Sequence, residues 1–130
     1  MEIKEVVVGI VQRGEEYLVG RRASHQTLAG YAEFPGGKLL EGEAPEAGVC
    51  REILEETGLT VEVTDWRREV KHAYTHGELH ITFFICRPLA EVKPQAPFRW
   101  VPREELGRLK FPAANQAIFA ELFPEIELRK

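Results

Sequence analysis

Cysteine is scarce in this chain, with only Cys50 and Cys86 among 130 residues. Their separation fits no metal-binding or redox spacing, so both are expected as free thiols in or near the core. Long apolar runs are missing too. No stretch approaches the roughly 18 to 20 residues of a membrane span. The opening MEIKEVVVGIVQRGEEY alternates and breaks at Gln12-Arg13, unlike a signal peptide. These two absences point to the cytoplasm and away from a membrane partner. Basic charge is not in excess, because the net charge is −4. That argues against a general nucleic-acid surface, which should be basic. An acidic protein can still hold a small polyphosphate if metal ions carry the countercharge. No repeat, low-complexity segment or linker interrupts the chain, so residues 1–130 are expected to form a single domain.

What is there is a globular composition, 44% hydrophobic and 29% charged. Glu2 to Gln12 reads as a strand with both faces apolar, hence central. Arg13-Gly14-Glu15 signals a turn, and Glu16 to Arg22 a second strand in hairpin with the first. A polar loop, Ala23 to Gly30, follows. Glu33-Phe34-Pro35-Gly36-Gly37 reads as a rigid turn whose glycines permit positive φ and close approach of a ligand. The spacing predicts a helix from about Ala44, with Pro45 in its first turn and Gly58 as its stop. Ala47, Cys50, Ile53 and Leu54 supply its apolar stripe. Gly48 inside a helix costs about 1 kcal/mol relative to Ala, which a close packing contact would explain.

Further on, Leu59 to Lys71 is expected to contain a strand, His72 to His80 a histidine-bearing loop, and Leu79 to Cys86 a strand. Glu91 to Pro97 is a loop, Phe98 to Val101 a short strand, and Pro102 to Leu106 a helical turn. A last helix is expected over Ala113 to Leu122. Strands mixed with two helices suggest a sheet sandwiched between helices.

Three carboxylates crowd one short segment, Arg51-Glu52-Ile53-Leu54-Glu55-Glu56. Like charges at helical spacing repel, and each residue turns by about 100° along a helix. Glu52 and Glu56 therefore share a face, Glu55 lies beside them, and Arg51 can pair with Glu55. A divalent cation explains the crowding: Mg²⁺ takes oxygen ligands and keeps several waters, leaving positions for phosphate oxygens. The plainer reading is a solvated helix face with i,i+4 pairing.

The whole spacing decides between them. From Gly37 the chain runs five residues to Glu43 and seven more to Arg51, then Glu52, Ile53, Glu55, Glu56, Gly58 and Leu59. This G-x5-E-x7-R-E-U-x-E-E-x-G-U pattern, with U apolar, resembles the signature of the Nudix hydrolase family. The resemblance implies an α/β fold, an α/β/α sandwich with a mixed sheet between helices. It also implies Mg²⁺-dependent cleavage of a nucleoside diphosphate linked to another group, with Mn²⁺ as a substitute ion. Glu52, Glu55 and Glu56 become metal ligands, Gly37 offers its carbonyl, and Arg51 orients the glutamates. Glu52 or Glu43 assists as base.

The resemblance extends to Val8-Gly9-Ile10, Arg21-Arg22, Glu33 to Lys38, His80-Ile81-Thr82 and Phe111 to Asn115. These segments are similar to the MutT-like branch, which removes oxidised guanine nucleotides. Asn115 would then read the oxidised purine edge, where an amide offers a donor and an acceptor together. Arg22 would contact the nucleotide, Lys38 would join the substrate-binding set, and Phe34 would line the base pocket. Each has a plainer reading: Asn115 caps the last helix, Arg22 ends a solvated strand, and Phe34 is core. Trp66 and Trp100 are expected to pack rather than stack on a base.

Two positions depart from the branch. Leu79 stands where it has a basic residue, and only Glu91 is available where it has a further metal-site glutamate. His72-Ala-Tyr-Thr-His76 is similar to the sensing loop of adenine glycosylases, but no room remains for a glycosylase domain. A zinc site at His72, His76 and His80 is set aside, because the segment reads as loop and strand. The expected reaction is attack of water on the β-phosphorus of 8-oxo-dGTP, giving the monophosphate and pyrophosphate. A pyrophosphohydrolase for CTP, dCTP or modified pyrimidine nucleotides is the alternative. A nucleotide sensor without turnover is a third reading, opposed by the intact glutamates. The protein is expected to be a monomer or weak homodimer.

Overall fold

The first strand sets the frame. In a computed structural model describing residues 2–126, β1 (Glu2–Arg13) lies in the middle of a mixed sheet. Its alternation sends Val7 and Val11 into one core and Ile10 into the other, with Val6 and Val8 packed against the latter. Gly14, with φ 60°, allows the tight turn into β2 (Glu16–Arg21). Two short strands follow, β3 (Ala32–Glu33) and β4 (Gly36–Lys38), with Phe34-Pro35 between them. β3 pairs with β2, and β4 pairs with β1.

Helix α1 (Pro45–Thr57) begins at proline and stops at Gly58, whose φ of 80° lets its N–H reach the Leu54 carbonyl at 3.0 Å. The buried hydroxyl of Thr57 donates to the Ile53 carbonyl at 2.7 Å and accepts from the Leu59 N–H at 3.1 Å. The chain then runs through β5 (Val61–Tyr74) and β6 (Gly77–Pro88), an antiparallel pair with an irregularity between Val63 and Arg67. β6 lies parallel to β1, from Glu2 opposite Gly77 to Val11 opposite Cys86. β7 (Arg99–Pro102) adds to β2. Two 3₁₀ turns, Arg103–Arg108 and Ala113–Asn115, lead into α2 (Gln116–Leu122).

Val49 and Ile53 of α1 pack on one face of the sheet with Val7, Val11, Leu18 and Phe84. Ile118 and Phe119 of α2 pack on the other with Ile10, Phe34, Phe83 and Phe111. This is the expected layering of helix, mixed sheet and helix. Cys50 and Cys86 are free, with Cys86 buried, and Trp66 and Trp100 pack against the two cores.

Four details differ from the sequence reading. The buried stripe of α1 is Gly48, Val49, Ile53 and Thr57, while Ala47 and Leu54 are exposed. The i,i+4 row of Val49, Ile53 and Thr57 outcompetes the row expected, because Gly48 beside it lets the helix approach. A Cβ on Gly48 would collide with Leu39, the close contact its cost called for. Residues 72–80 are not a loop. They continue β5 and start β6, reversing at Thr75-His76. The last helix is shorter than expected, its first turn being 3₁₀. Gly36 and Gly37 are not in the left-handed region. They are strand residues needed for close approach, since a Cβ on Gly36 would collide with the Val7 carbonyl oxygen.

Among the described residues, no helix is long and apolar enough to cross a membrane.

Candidate active site

Helical spacing puts Arg51 next to the acidic residues, and one guanidinium gathers four of its neighbours. Its Nε and Nη2 donate to the two Glu43 oxygens at 2.8 and 2.9 Å. Nη1 donates to Glu52 at 3.1 Å and to Glu55 at 3.1 Å. Nη2 also donates to the Lys38 carbonyl at 3.1 Å, tying the helix to the end of β4. The fork geometry of arginine makes this many-handed contact feasible. Hydrogen bonds from Arg51 and from the Leu40 N–H hold the Glu43 carboxyl down at about 2.

Glu56 is bound from the strand side, accepting from the Gly36 N–H at 2.8 Å. Burial pushes its carboxyl up to about 7 against that bond, helped by the charges of Glu33, Glu52 and Glu55. Gly37 closes the gap on Glu52: a Cβ there would lie 2.5 Å from a Glu52 carboxylate oxygen. The glycine pair therefore lets the acidic face of α1 lie flat against β4.

Among the described residues, no three carboxylate, histidine or cysteine groups converge on one point as they stand. Arg51 draws Glu52 and Glu55 one way, and Gly36 draws Glu56 the other. The donor set still suits a hard divalent cation. It offers oxygen only, on adjoining turns of one helix, and a cation would offset the burial and the neighbouring carboxylates that together raise Glu56.

Beside this acidic face opens a cleft of about 600 Å³, and Gly36 and Gly37 belong to its rim. Its apolar wall comes from Val6, Val8, Leu79 and Ile81, with Phe34 stacked on Phe111 at 4.9 Å. Arg22 lines it too, donating to the Thr27 carbonyl at 2.6 Å and to Glu33 at 3.4 Å. Burial raises the Glu33 carboxyl, and Arg22 only partly offsets this. Asn115 lies in the same cleft, 8% exposed. It stands at the start of α2 but its side chain makes no capping bond, so the plain capping role does not hold.

The structure thus brings Arg22, Phe34, Gly37 and Asn115 to one cleft; Glu56 and Glu52 adjoin it through Gly36 and Gly37, Arg51 links Glu52 to Glu55 and Glu43, and Glu43 lines a neighbouring groove. It does not bring Lys38 to the cleft. That residue lines a neighbouring groove with Leu39 and Glu43. Glu91 is also elsewhere, 90% exposed and 3.9 Å from Arg13. Arg13 lies five residues along β1 from Val8, or about 17 Å at strand rise. Sequence reasoning missed Glu33, Tyr31 and Tyr74 and took His72 as a polar loop residue near substrate; all four line the cleft. The signal for His72 was its register opposite Leu79, which reading the segment as a loop concealed.

A family model described as NUDIX domain matches residues 6–121. The chain belongs to the Nudix hydrolase family, enzymes that act on nucleotide substrates and generally need a divalent metal. Within it, the relatives point to the MutT-like branch. The chain is 29% identical over 126 residues to the 8-oxo-dGTP diphosphatase of Escherichia coli (strain K12), covering 94% of this chain and 98% of that one. It is also 32% identical over 80 residues to the CTP pyrophosphohydrolase of that strain, covering 58% and 59%. The crystal structure of the MutT protein from Methanosarcina mazei Go1 matches with a TM-score of 0.78 at 27% identity, covering 95% of this chain and 94% of that one.

Proposed function

We propose that the protein is a Mg²⁺-dependent nucleoside triphosphate pyrophosphohydrolase whose preferred substrate is 8-oxo-dGTP, serving nucleotide-pool sanitation in the cytoplasm. The observation that carries this reading is Asn115. Asn115 is 8% exposed as a residue, lines the cleft, and makes no capping bond with its side chain. A side-chain amide facing a cleft offers a donor and an acceptor side by side, the complement of a ligand edge that offers an acceptor beside a donor. The O6 and protonated N7 of 8-oxoguanine are such an edge. Phe34 and the apolar wall accept the ring, and Arg22 lies where it can reach the nucleotide.

The phosphate chain would then extend toward Gly36, Gly37 and the carboxylates of α1. Glu52, Glu55 and Glu56, with the Gly37 carbonyl, are the proposed seat of the ion, and Mn²⁺ should substitute for Mg²⁺. When bound, the ion supplies charge neutralisation on phosphate oxygens and an activated water. The oxygen of water bonds to the β-phosphorus, and the bond from that phosphorus to the α–β bridging oxygen breaks. The monophosphate leaves with the bridging oxygen, and pyrophosphate remains. Glu52 is the better candidate to take the water's proton. Glu43, clamped by two bonds to Arg51 and held near 2, is a poor acceptor and serves to position the guanidinium.

A second reading, hydrolysis of CTP or a modified pyrimidine nucleotide, is favoured by Leu79, an apolar residue on the cleft wall. Comparing kcat/KM for 8-oxo-dGTP, dGTP, CTP, dCTP and 5-methyl-dCTP with Mg²⁺ separates the two. Efficiency on 8-oxo-dGTP no higher than on dGTP would sink the sanitising role. The highest efficiency on a cytidine nucleotide would establish the second reading.

A further inference from the structure

On the other side of the partition formed by the end of β2 and β3 lies a recess of about 200 Å³. Among the described residues, its lining includes Arg21, Arg99, Arg108 and Lys110 and no acidic residue. That is unexpected in a chain whose net charge is −4. Arg13, Arg22, Arg51, Arg67, Arg68, Arg87 and Arg103 each pair with a carboxylate. Among the described residues, Arg21 and Arg99 have no such pair, and both are exposed and line this recess.

The strands put them together. Arg99 stands opposite Val19 in the β2–β7 ladder, and Arg21 lies two residues beyond Val19 on β2. Directly opposed residues and i,i+2 residues share a face, so both guanidinium groups project on the same side. Lys110 is fixed to the same edge, since its carbonyl accepts from the Ala32 N–H at 2.8 Å. Its ammonium lies 4.8 Å over the Tyr31 ring. Arg22, next to Arg21, points the other way into the cleft, and Gly30 and Tyr31 likewise divide between recess and cleft. Among the described residues, none lines both.

Like charges gathered on a fixed backbone repel, and a compact anion is what relieves them. Two guanidinium forks match phosphate oxygens bidentately, while an ammonium adds a point charge. We propose that this recess is a second anion site, taking a small polyphosphate such as free pyrophosphate or the phosphate chain of a second nucleotide. Its size suits one compact anion rather than a nucleic-acid backbone. The site stands apart from the reaction proposed above and does not depend on it.

Isothermal titration of the full chain with pyrophosphate, with and without Mg²⁺, tests this. Parallel titrations use a non-hydrolysable nucleoside triphosphate and a single-stranded oligonucleotide. Pyrophosphate should bind saturably without Mg²⁺. The double variant R21A/R99A should weaken that binding at least about tenfold, the effect expected for losing charge-assisted bonds, while leaving nucleotide kcat/KM unchanged. E56Q, altered only on the acidic face, should keep it. Tighter binding of the triphosphate than of pyrophosphate, also lost in R21A/R99A, would identify a second nucleotide as the source. The proposal fails if pyrophosphate does not saturate up to millimolar concentration. It fails equally if R21A/R99A binds as the unaltered chain does, or if only the oligonucleotide binds.

Discussion

The two sides of the cleft are assembled differently. The acidic side is one continuous stretch, Gly36 to Glu56, folded as strand, turn and helix and tied by a single guanidinium. The apolar side draws Val8 from β1, Phe34 from between β3 and β4, His72 from β5, Leu79 from β6 and Asn115 from before α2. One side depends on contacts that are near in sequence, the other on the register of the whole sheet. The acidic side should therefore govern whether reaction occurs, and the apolar side which base is accepted.

Glu56→Gln should have the largest effect. Outer partners of metal ligands are worth about 10–100-fold in affinity or activity, so losing a proposed ligand should lower kcat/KM by more than about 100-fold. A variant within tenfold of the unaltered chain would move the metal seat elsewhere. Gly37→Ala comes next, because its new Cβ meets the Glu52 carboxylate. A flexible side chain can shift, so the fold should persist while activity falls about 10–100-fold and the Mg²⁺ activation curve moves to higher concentration. An unmoved curve would show that Glu52 takes no part in the ion's seat.

Asn115→Ala tests the opposite side. It should reduce the preference for 8-oxo-dGTP over dGTP by about tenfold, the worth of one or two buried hydrogen bonds, and change dGTP turnover less. An unchanged ratio would leave the comparison of the two sides without its second half. The smallest effect is expected behind the acidic side. Leu54 is 49% exposed, so Leu54→Ala should alter urea-unfolding stability by no more than about 0.5 kcal/mol. A larger loss would mean that this helix face packs against something.

The acidic side was legible in the sequence because helical spacing alone brings Arg51, Glu52, Glu55 and Glu56 together. The helix limits were equally local: Pro45 and Gly58 do their work through their own backbone preferences. The buried stripe was not local. It depended on Gly48 lying against Leu39, a contact between elements. The segment 72–80 misled for a related reason. Three histidines and a glycine look like a loop until the start of β6 pairs Leu79, Glu78 and Gly77 with His72, Ala73 and Tyr74. Lys38 shows the limit of reading neighbours together: it adjoins Gly37 in the chain, yet successive strand residues face opposite ways.

The parallel pairing of β1 with β6 has a consequence for how the molecule comes into being. The strand at the heart of the sheet is synthesised before its partners, and its longest partner, β6, begins only at Gly77. At ribosomal rates of roughly 5–20 residues per second, β1 must wait about 4–15 s between its own emergence and that of Pro88. During that interval β2, β4 and α1 are the contacting elements already available to cover its apolar side chains. The segment that supplies the proposed metal seat is therefore also part of the nascent chain's early shelter for its central strand.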